Sequence, residues 1–356
     1  MNDKLKVAVI GVGGISNAHI GAYKKNPDCE VVAFCDINEK VLKAQGEKHG
    51  VKKLYADYNV MFKEMPEIGA VSVCTWNSAH ALATVAALNA GKHVLCEKPM
   101  ALNAAQAEDM EAAAKKSSKK LAVGFVRRFG NDCAIARDFI GNGNLGEIYY
   151  AKATYIRRNG NPGGWFGDKS RSGGGPLIDL GVHVIDLVRY LTGNPKTVSV
   201  YGAAFTKLKN RPNLKSAKGY VSVSSEGAKD ICDVEDLAAA MIRFANGTVL
   251  NVETSFSLNT EKDEGKIELF GTKGGIKLDP EFSLYTEIND YPADVKLAMP
   301  TALSFEGLFA KEINHFVDAV LNDTPLLAPA ADGIEMMRIL DAIYRSAASG
   351  HEEIIG

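Results

Sequence analysis

A carboxylate and an imidazole stand four residues apart in this chain, shortly after three consecutive glycines. They are Asp179 and His183, and the glycines occupy positions 173–175. On a helix, residues at i and i+4 share a face, which Asp186 at i+7 would join. A histidine can exchange a proton near neutral pH, and a neighbouring carboxylate can fix its tautomer or bind a substrate hydroxyl. The spacing therefore predicts half of a proton-handling site.

A structural interpretation of the same stretch stays open, in which the histidine is a hydrogen-bonded packing residue. The triple glycine favours function, because glycines cost conformational entropy and are typical of places where another group approaches the backbone closely. The other chemistry-bearing residues of the chain have to decide between the two interpretations.

The composition is that of a soluble globular protein. A chain of 356 residues exceeds one ordinary core and predicts two domains that share a cleft. Hydrophobic residues make up 46% and charged residues 24%, which excludes a disordered or fibrous chain. The net charge of -2 provides no general attraction to nucleic acid or to an anionic membrane.

The first residues, the lengths of the apolar runs and the cysteines indicate the cellular compartment. The first residues lead straight into a predicted strand, without the segments of a secretion signal, and no stretch approaches the roughly 18 apolar residues of a membrane span. The six cysteines show neither metal-ligand spacing nor a disulfide framework. We expect a cytoplasmic protein with reduced thiols and no metal site.

The first third of the chain alternates short apolar runs with helical periodicity. Strands are predicted over 6–10, 30–35, 70–74, 93–96 and 121–125, with helices over 15–25, 39–49, 79–89 and 104–116. The strands are nearly all apolar, as parallel strands covered on both faces are. Strict alternation predicts right-handed crossovers and an α/β domain with a doubly wound parallel sheet, residues 1–125.

From residue 126 the hydrophobic pattern changes, and apolar and polar residues alternate as in half-buried strands. After a helix over 133–142, strands are predicted over 147–157, 197–205, 237–244, 248–257 and 266–270, and helices over 308–321 and 331–348. The dipeptide Asn246-Gly247 predicts a hairpin between two of these strands. We expect residues 126–356 to form an α+β domain with a large, mostly antiparallel open sheet and helices on one side.

A glycine-rich turn after the first predicted strand could hold a dinucleotide. Gly11 permits the tight turn and Gly13 lets the backbone approach a pyrophosphate, to which the following helix offers free N–H groups and its positive dipole end. The third position of the G-x-G-x-x-G pattern is Ser16, which is small but departs from the pattern.

A carboxylate ends the second predicted strand. Asp36 lies twenty residues beyond Ser16, where it can accept hydrogen bonds from the adenosine ribose hydroxyls. A 2′-phosphate would meet like charge there, and residues 37–39 supply no cation, although Lys40 follows. NAD is therefore expected, and NADP less so. The alternative is that Asp36 is an ordinary helix cap.

The fourth predicted strand, 93–96, leads into Glu97-Lys98-Pro99. Strand ends line the ligand crevice of doubly wound sheets, so Lys98 is expected to face the reactive end of the cofactor. Pro99 rigidifies the turn and restricts Lys98 to extended backbone angles. An isolated lysine is usually a surface charge, but one fixed above a cofactor is not typical of a surface.

Together these residues resemble the Gfo/Idh/MocA family of NAD(P)-dependent sugar and cyclitol dehydrogenases, named for glucose-fructose oxidoreductase and inositol dehydrogenase. The resemblance runs through nearly the whole chain and is carried by residues 11–16, 75–80, 90–100, 127–129 and 173–186. Its specific part is the E-K-P triplet together with the glycine-rich D-x-G-x-H block. One departure is Trp76, where the family usually has proline.

The resemblance implies a Rossmann domain and a role for each site residue. His183 would be the general base that removes the proton of a secondary hydroxyl while hydride leaves the same carbon for nicotinamide. Lys98 would stabilise the charge developing on that oxygen, and Asp179 would bind a substrate hydroxyl. Cofactor contacts are implied at Gly11, Gly13, Gly14, Ile15, Asp36, Ile37, Thr75, Trp76, Asn77, His80, Glu97, Lys98 and Arg128. Substrate contacts are implied at Lys98, Arg128, Arg157, Trp165, Asp179 and His183.

The segment 157–169 could form the substrate-side wall. Its aromatic rings, Trp165 and Phe166, could stack on a pyranose, and its glycines could let it move as a lid, unless the two rings anchor the loop to the core. Arg128, Arg157, Arg158, Lys169 and Arg171 could favour an acidic sugar, or lie in structural or subunit contacts. We expect a polyol substrate (a monosaccharide, sugar derivative or inositol) and a homodimer or homotetramer formed through the C-terminal sheet.

Three functions remain open on these residues. The first is a hydride-transferring dehydrogenase. The second is a related NAD-dependent glycoside hydrolase that oxidises its substrate only transiently. The third is a non-catalytic NAD-binding regulator on the same scaffold, which loss of Lys98 or His183 would have favoured; both are present.

Overall fold

The N-terminal part is built on a six-stranded parallel sheet. The computed structural model describes residues 4–209, 211, 214–215, 231–305 and 307–355. The strands are β1 (Leu5–Ile10), β2 (Cys29–Cys35), β3 (Lys53–Tyr55), β4 (Ala70–Val73), β5 (His93–Glu97) and β6 (Leu121–Gly124). Their order in the sheet is β3-β2-β1-β4-β5-β6. The order reverses between β1 and β4, and ligands bind at such a switch point, at the carboxyl ends of the strands.

Helices cover both faces of this sheet. They are α1 (Ser16–Lys25), α2 (Glu39–His49), α3 (Tyr58–Glu64), α4 (Asn77–Asn89) and α5 (Ala104–Ser117). The predicted doubly wound domain is confirmed. Sequence reasoning missed β3 and α3, because a three-residue strand and a two-turn helix are too short for a periodic pattern.

The C-terminal part carries a nine-stranded sheet. Its strands are β7 (Ile148–Ile156), β8 (Thr197–Phe205), β9 (Leu237–Phe244), β10 (Val249–Ser255), β11 (Glu264–Gly271), β12 (Gly274–Leu278), β13 (Ser283–Ile288), β14 (Tyr291–Val295) and β15 (Glu353–Ile354). Their order is β14-β13-β12-β11-β7-β10-β9-β8-β15. The β7/β10 pair is parallel and the others are antiparallel, so the predicted mostly antiparallel sheet is confirmed. The β9–β10 hairpin turns at Asn246-Gly247 as predicted, with Gly247 at φ +89°.

Within the described residues, five helices accompany the second sheet in the chain. They are α6 (Asn131–Gly141), α7 (Lys169–Ser172), α8 (Val182–Leu191), α9 (Leu308–Asn322) and α10 (Ala330–Ser349). Whereas α8 and α10 pack on one face of the sheet, α9 crosses to the first domain. There Ile313, Phe316 and Val317 share an apolar cluster with Tyr23 of α1.

The helix that carries the predicted Asp179–His183 pair is not regular. Its first turn, Leu177–Gly181, is π-helical and leads directly into α8. A π turn bonds i to i+5 and is frequent at functional sites. The prediction of one α-helical face was therefore wrong for this turn. Asp186 is also excluded from a joint face, because it is 1% exposed and its carboxylate is bound by Arg128.

Candidate active site

The glycine-rich turn has the shape that a dinucleotide pyrophosphate requires. Gly11 has φ +80°, and a Cβ there would lie 2.7 Å from the backbone of Cys74, so no larger residue fits between β1 and β4. Gly13 and Gly14 instead face open space, since a Cβ added at either position would have nothing within 4 Å. The strand ends are thus held tightly together while the outer side of the turn stays open to a ligand.

The start of α1 presents free hydrogen-bond donors beside this open space. The helix has no side-chain cap, and within the described part of the chain the N–H groups of Gly13, Gly14 and Ile15 donate to no protein acceptor. Such a helix end attracts an anion through its N–H groups and its dipole. The Ser16 hydroxyl donates to the Gly13 carbonyl at 2.7 Å, so this serine braces the turn in place of the third glycine.

Asp36 lies against the glycine-rich turn at the end of β2. One carboxylate oxygen accepts the Val12 N–H at 2.9 Å and the other accepts the Asn38 N–H at 2.8 Å. The cap of α2 is Asn38, whose side chain accepts the Val41 N–H, so Asp36 is not the cap of that helix. The neighbouring Ile37 side chain is open to solvent, with 77% exposure. Turn, helix end and carboxylate together fit NAD.

Lys98 joins the two domains at the end of β5. Its ammonium donates to the carboxylate of Asp179 and to the Asp179 backbone carbonyl, at 2.9 Å each. The two side chains are 16% and 17% exposed, so the ion pair is partly shielded but open to a ligand on one side. The structure thus brings the lysine at the strand end together with the carboxylate of the glycine-rich block.

His183 is a half-buried imidazole close enough to Lys98 to sense its charge. Burial is the largest influence that lowers the pKa of His183, followed by the positive charges of Lys98, Arg127 and Arg157, and together they hold it well below its usual 6.5. Its Nδ1 is buried and has no hydrogen-bond partner in the described structure. Because the imidazole is neutral at physiological pH, it is ready to accept a proton. No hydrogen bond joins it to Asp179 among the described residues.

Glu97, an expected cofactor contact, is instead buried behind Lys98. One oxygen lies 2.8 Å from His19 Nε2 and the other accepts the Lys98 N–H at 3.1 Å. His19 lies in turn 3.2 Å from the Ser72 hydroxyl. Burial raises the pKa of Glu97, but the hydrogen bond with His19 and the charges of His19 and Lys98 bring it below its usual value. Glu97 therefore acts as an anionic support for the Lys98 backbone.

Three further expected cofactor contacts tie the end of β4 to its surroundings. His80 is 1% exposed, with Nδ1 2.7 Å from the Pro99 carbonyl and Nε2 3.1 Å from that of Thr75. Asn77 donates to the Ser172 carbonyl at 2.7 Å and so connects α4 to α7. These side chains shape the wall of the crevice from behind and are engaged with protein groups.

Trp76 forms the wall where the glycine-rich block meets the first domain. The Arg171 guanidinium lies 4.4 Å from the centre of its ring, a cation–π contact, and is also 3.3 Å from the Asp168 carboxylate. The departure from proline at this position thus introduces a contact between the two domains that proline cannot make.

Arg128, expected to bind cofactor and substrate, is enclosed in a buried ion cluster. Its side chain is 0% exposed and donates twice to the Asp186 carboxylate, at 2.9 and 2.6 Å, and once to Asp332 at 2.7 Å. A fourth bond goes to the Leu327 carbonyl at 2.7 Å. With four of its five N–H groups used and no exposed surface, the guanidinium cannot reach a ligand, and we exclude it from the site.

The segment 157–169 carries two stacked aromatic rings and a cation that acts on His183. The rings of Trp165 and Phe166 stack with centroids 4.1 Å apart, and both residues are half-buried. Arg157 donates to the Gly160 carbonyl at 3.1 Å and also lowers the pKa of His183, which places its charge near the site. Arg157 and Trp165 thus remain candidates for the substrate wall.

Two family models together match almost the whole chain. The model described as "Oxidoreductase family, NAD-binding Rossmann fold" covers residues 5–125, and the one described as "Oxidoreductase family, C-terminal alpha/beta domain" covers residues 137–354. The chain belongs to the Gfo/Idh/MocA family. The resemblance inferred from the motifs is confirmed, the first domain is an NAD-binding Rossmann domain, and the protein is an oxidoreductase.

Relatives of this Gfo/Idh/MocA protein include sugar and cyclitol dehydrogenases. D-glucoside 3-dehydrogenase of Escherichia coli K12 is 35% identical over 350 residues, 97% of this chain and 96% of that protein. Myo-inositol 2-dehydrogenase of Thermotoga maritima is 31% identical and covers 92% of each chain. The structure of levoglucosan dehydrogenase in complex with NADH aligns with a TM-score of 0.86 and 25% identity, over 99% of this chain and 100% of that one.

One buried carboxylate of this Gfo/Idh/MocA protein, next to the Asp179 block, escaped sequence reasoning. Glu235, 7% exposed, accepts hydrogen bonds from the backbone N–H groups of Gly175 and Leu177 and from the Tyr344 hydroxyl. The only local signal is an acidic pair, Glu235-Asp236, directly before an apolar strand.

Among the described residues, no helix is both long and apolar enough to span a bilayer.

Proposed function

We propose that the protein is an NAD-dependent dehydrogenase that oxidises a secondary hydroxyl of a sugar, sugar derivative or cyclitol to a ketone, or catalyses the reverse reaction. The observation that carries this proposal is the meeting of three groups. The Lys98 ammonium is held by Asp179, with a neutral His183 imidazole close by, at the crevice edge of the NAD-binding domain.

The oxidation removes one hydride and one proton from the substrate. When bound, NAD supplies the hydride acceptor. His183 takes the hydroxyl proton, because its imidazole is uncharged at neutral pH. Lys98 donates a hydrogen bond to the same oxygen and stabilises the negative charge that develops as the proton leaves. Asp179 orients the ammonium and binds a neighbouring substrate hydroxyl, which fixes the substrate against the base.

The cofactor and substrate classes follow from the two walls of the crevice. Asp36 repels a 2′-phosphate, which favours NAD over NADP. On the substrate side, Trp165 offers an aromatic face and Arg157 a cation, groups that suit a polyol ring. The names of the relatives, which act on a glucoside, on myo-inositol and on levoglucosan, support the same class.

Association through the C-terminal sheet is part of the proposal. The open face of this sheet exposes large apolar side chains, among them Tyr201 and Met241, each about half exposed. Tyr201 and Met241 are paired across β8 and β9, so they form an adjacent apolar pair that a second copy can cover. We propose a homodimer or homotetramer, testable by light scattering after gel filtration. A cytoplasmic location agrees with the five buried cysteine thiols, Cys29, Cys35, Cys74, Cys96 and Cys133.

A spectrophotometric screen tests the activity. Purified protein is mixed with NAD or NADP and with inositols, aldoses, methyl glucosides, 1,6-anhydro sugars or sugar acids, and the absorbance of the reduced cofactor is followed. We expect polyol-dependent formation of NADH. The His183→Ala variant should lose about 100- to 10,000-fold in turnover, as is usual for a missing general base, and still bind NAD.

Controls separate the alternatives. Replacement of the exposed His351 by alanine should leave turnover unchanged. An aryl glucoside provides a second readout, since release of the phenol without accumulation of NADH would identify the glycoside hydrolase. If no polyol is oxidised and no ketone is reduced, the result would favour the non-catalytic NAD-binding protein. Turnover of His183→Ala close to the parent value would remove the imidazole from the mechanism.

A further inference from the structure

The carboxylate of Glu235 is bound to the loop that precedes the proposed base. One oxygen accepts the Gly175 N–H at 3.0 Å, and the other accepts the Leu177 N–H at 3.1 Å and the Tyr344 hydroxyl at 2.9 Å. Leu177 is the first residue of the π-helical turn that contains Asp179. A single buried side chain thus holds the backbone on both sides of Pro176.

There is no space for a side chain between the loop and the groups that bind it. A Cβ on Gly174 would overlap the Tyr344 hydroxyl, and one on Gly175 would overlap the Glu235 backbone carbonyl. The two glycines are therefore required by the approach of Glu235 and Tyr344 to the backbone. This gives two of the three consecutive glycines a physical reason that is separate from any ligand.

The same short segment also holds the wall formed by residues 157–169. The Asp233 N–H donates to the Gly167 carbonyl at 3.0 Å, and the Asp233 carboxylate accepts the Lys169 N–H at 2.7 Å. Residues 233–235 therefore connect the substrate-side loop to the helix that carries the base.

We propose that Glu235 is a positioning residue for hydride transfer, which sets the place of Asp179 and His183 relative to Lys98 by fixing the backbone at Gly175 and Leu177. The proposal rests on the dehydrogenase function proposed above. Glu235 touches neither substrate nor cofactor. It acts through the start of the π-helical turn, where a displacement moves both site residues together. A misplacement of about 1 Å can cost roughly 100-fold in rate, so this support affects chemistry more than stability.

The test compares two buried glutamates with the same kind of bonds. Glu335, 2% exposed on α10, accepts the Thr197 N–H at 2.8 Å at the start of β8 and serves as the matched control. In Glu235→Gln the amide N–H₂ must face a backbone N–H, so one of the two loop bonds is lost. In Glu335→Gln the amide oxygen can keep the Thr197 N–H while the amide N–H₂ faces the Lys196 ammonium, so this variant also loses one bond, but at the start of β8. We expect similar falls in melting temperature for the two variants.

The kinetic readouts separate positioning from a mere loss of folded protein. For Glu235→Gln we expect kcat to fall about 10- to 100-fold with the NAD dissociation constant changed less than about twofold. The primary isotope effect on kcat, measured with substrate deuterated at the oxidised carbon, should rise because hydride transfer becomes more rate-limiting. For Glu335→Gln both kcat and the isotope effect should stay at the parent values.

Two results would overturn the proposal. One is a kcat of Glu235→Gln within about twofold of the parent. The other is a fall in kcat that matches the unfolded fraction, with an unchanged isotope effect. If the parent protein oxidises no polyol, the dehydrogenase function fails by itself, and hydrogen exchange of a peptide covering residues 173–186 then decides the positioning claim: faster exchange in Glu235→Gln than in Glu335→Gln supports it, and equal exchange refutes it.

Discussion

The Lys98 ammonium is held by Asp179 through two bonds at once, one to the carboxylate and one to the backbone carbonyl, each 2.9 Å long. The ion pair joins the end of β5 to the π-helical turn of the other domain. A positive charge fixed in this place acts on the imidazole nearby and, in the proposed mechanism, on a substrate oxygen as well.

Replacement of Lys98 by methionine should change the pH dependence of the reaction in addition to slowing it. Burial and then the charge of Lys98 hold the pKa of His183 well below 6.5, so the acid limb of kcat/KM in the parent lies below that pH. Removal of the charge raises the pKa of His183, and a protonated imidazole is no base. The acid limb of Lys98→Met should therefore move to higher pH, measurable from its residual rate between about pH 4.5 and 9.

The control for this shift is the exposed Lys43. It forms a surface pair with Glu39 and is 71% exposed, so Lys43→Met should keep both the rate and the profile. An acid limb at the same pH in Lys98→Met and the parent would show that the ammonium does not act on His183.

Two glycines of the first turn should respond to alanine in opposite ways. Gly11→Ala places a methyl group 2.7 Å from the Cys74 backbone at a positive φ, so it should lower the free energy of unfolding by about 1–3 kcal/mol or more. Gly13→Ala points into open space, so the fold should keep its melting temperature while the NAD dissociation constant rises. Thermal melts and NAD titrations by fluorescence distinguish the two outcomes. An unchanged NAD affinity in Gly13→Ala would place the pyrophosphate elsewhere.

Arg128→Met should destabilise the fold without changing cofactor affinity. The variant leaves the buried carboxylates of Asp186 and Asp332 without their main cation, and loss of one partner of a buried pair costs about 3–5 kcal/mol. Denaturant unfolding measures the loss. The surface pair of Arg338 with Glu108 provides the comparison, since Arg338→Met should cost at most about 1 kcal/mol. A weaker NAD complex in the folded fraction of Arg128→Met would restore the arginine to the binding site.

Glu312→Gln should stabilise the protein at high pH. Glu312 on α9 is 2% exposed, and neither of its side-chain oxygens has a hydrogen-bond partner in the described structure. Burial, and then the charge of Glu97, raises its pKa well above 4.5. The folded state therefore keeps a proton that the unfolded state releases, and the stability from this group falls as pH rises above 4.5.

Glutamine is neutral at every pH and of similar size, so the advantage of Glu312→Gln should grow between about pH 4.5 and 8.5. Melting temperatures across this range measure it, with the exposed Glu39→Gln as a variant that should show no such trend. A constant difference over the whole range would mean that Glu312 is charged in the folded state.

The features predicted correctly from sequence are those that depend on local residue patterns. Short apolar runs indicated the parallel strands, Asn246-Gly247 indicated the hairpin, and Gly11 and Asp36 indicated the dinucleotide-binding turn. Each of these features depends on a residue and its near neighbours in sequence, so it can be predicted from the sequence alone.

The features that were missed depend on contacts distant in sequence. Arg128 binds Asp186 and Asp332, 58 and 204 positions away, so its motif gave no sign of burial. The π-helical turn at Asp179 and the support of Gly175 by Glu235 arise from packing between segments. The strands β12 to β14, which end the sheet on one side, are short and carry weak alternation, and their pairing becomes visible only in the sheet.

The crossing of α9 onto the first domain has a consequence for biosynthesis. Its residues Ile313, Phe316 and Val317 cover Tyr23 and the neighbouring apolar side chains of the parallel sheet, and the Val123 N–H donates to the Ala328 carbonyl. A nascent chain that has emerged only through residue 125 would therefore leave this surface bare. The first domain is thus completed by residues 308–328, which are translated much later, so its folding during synthesis has to wait for them.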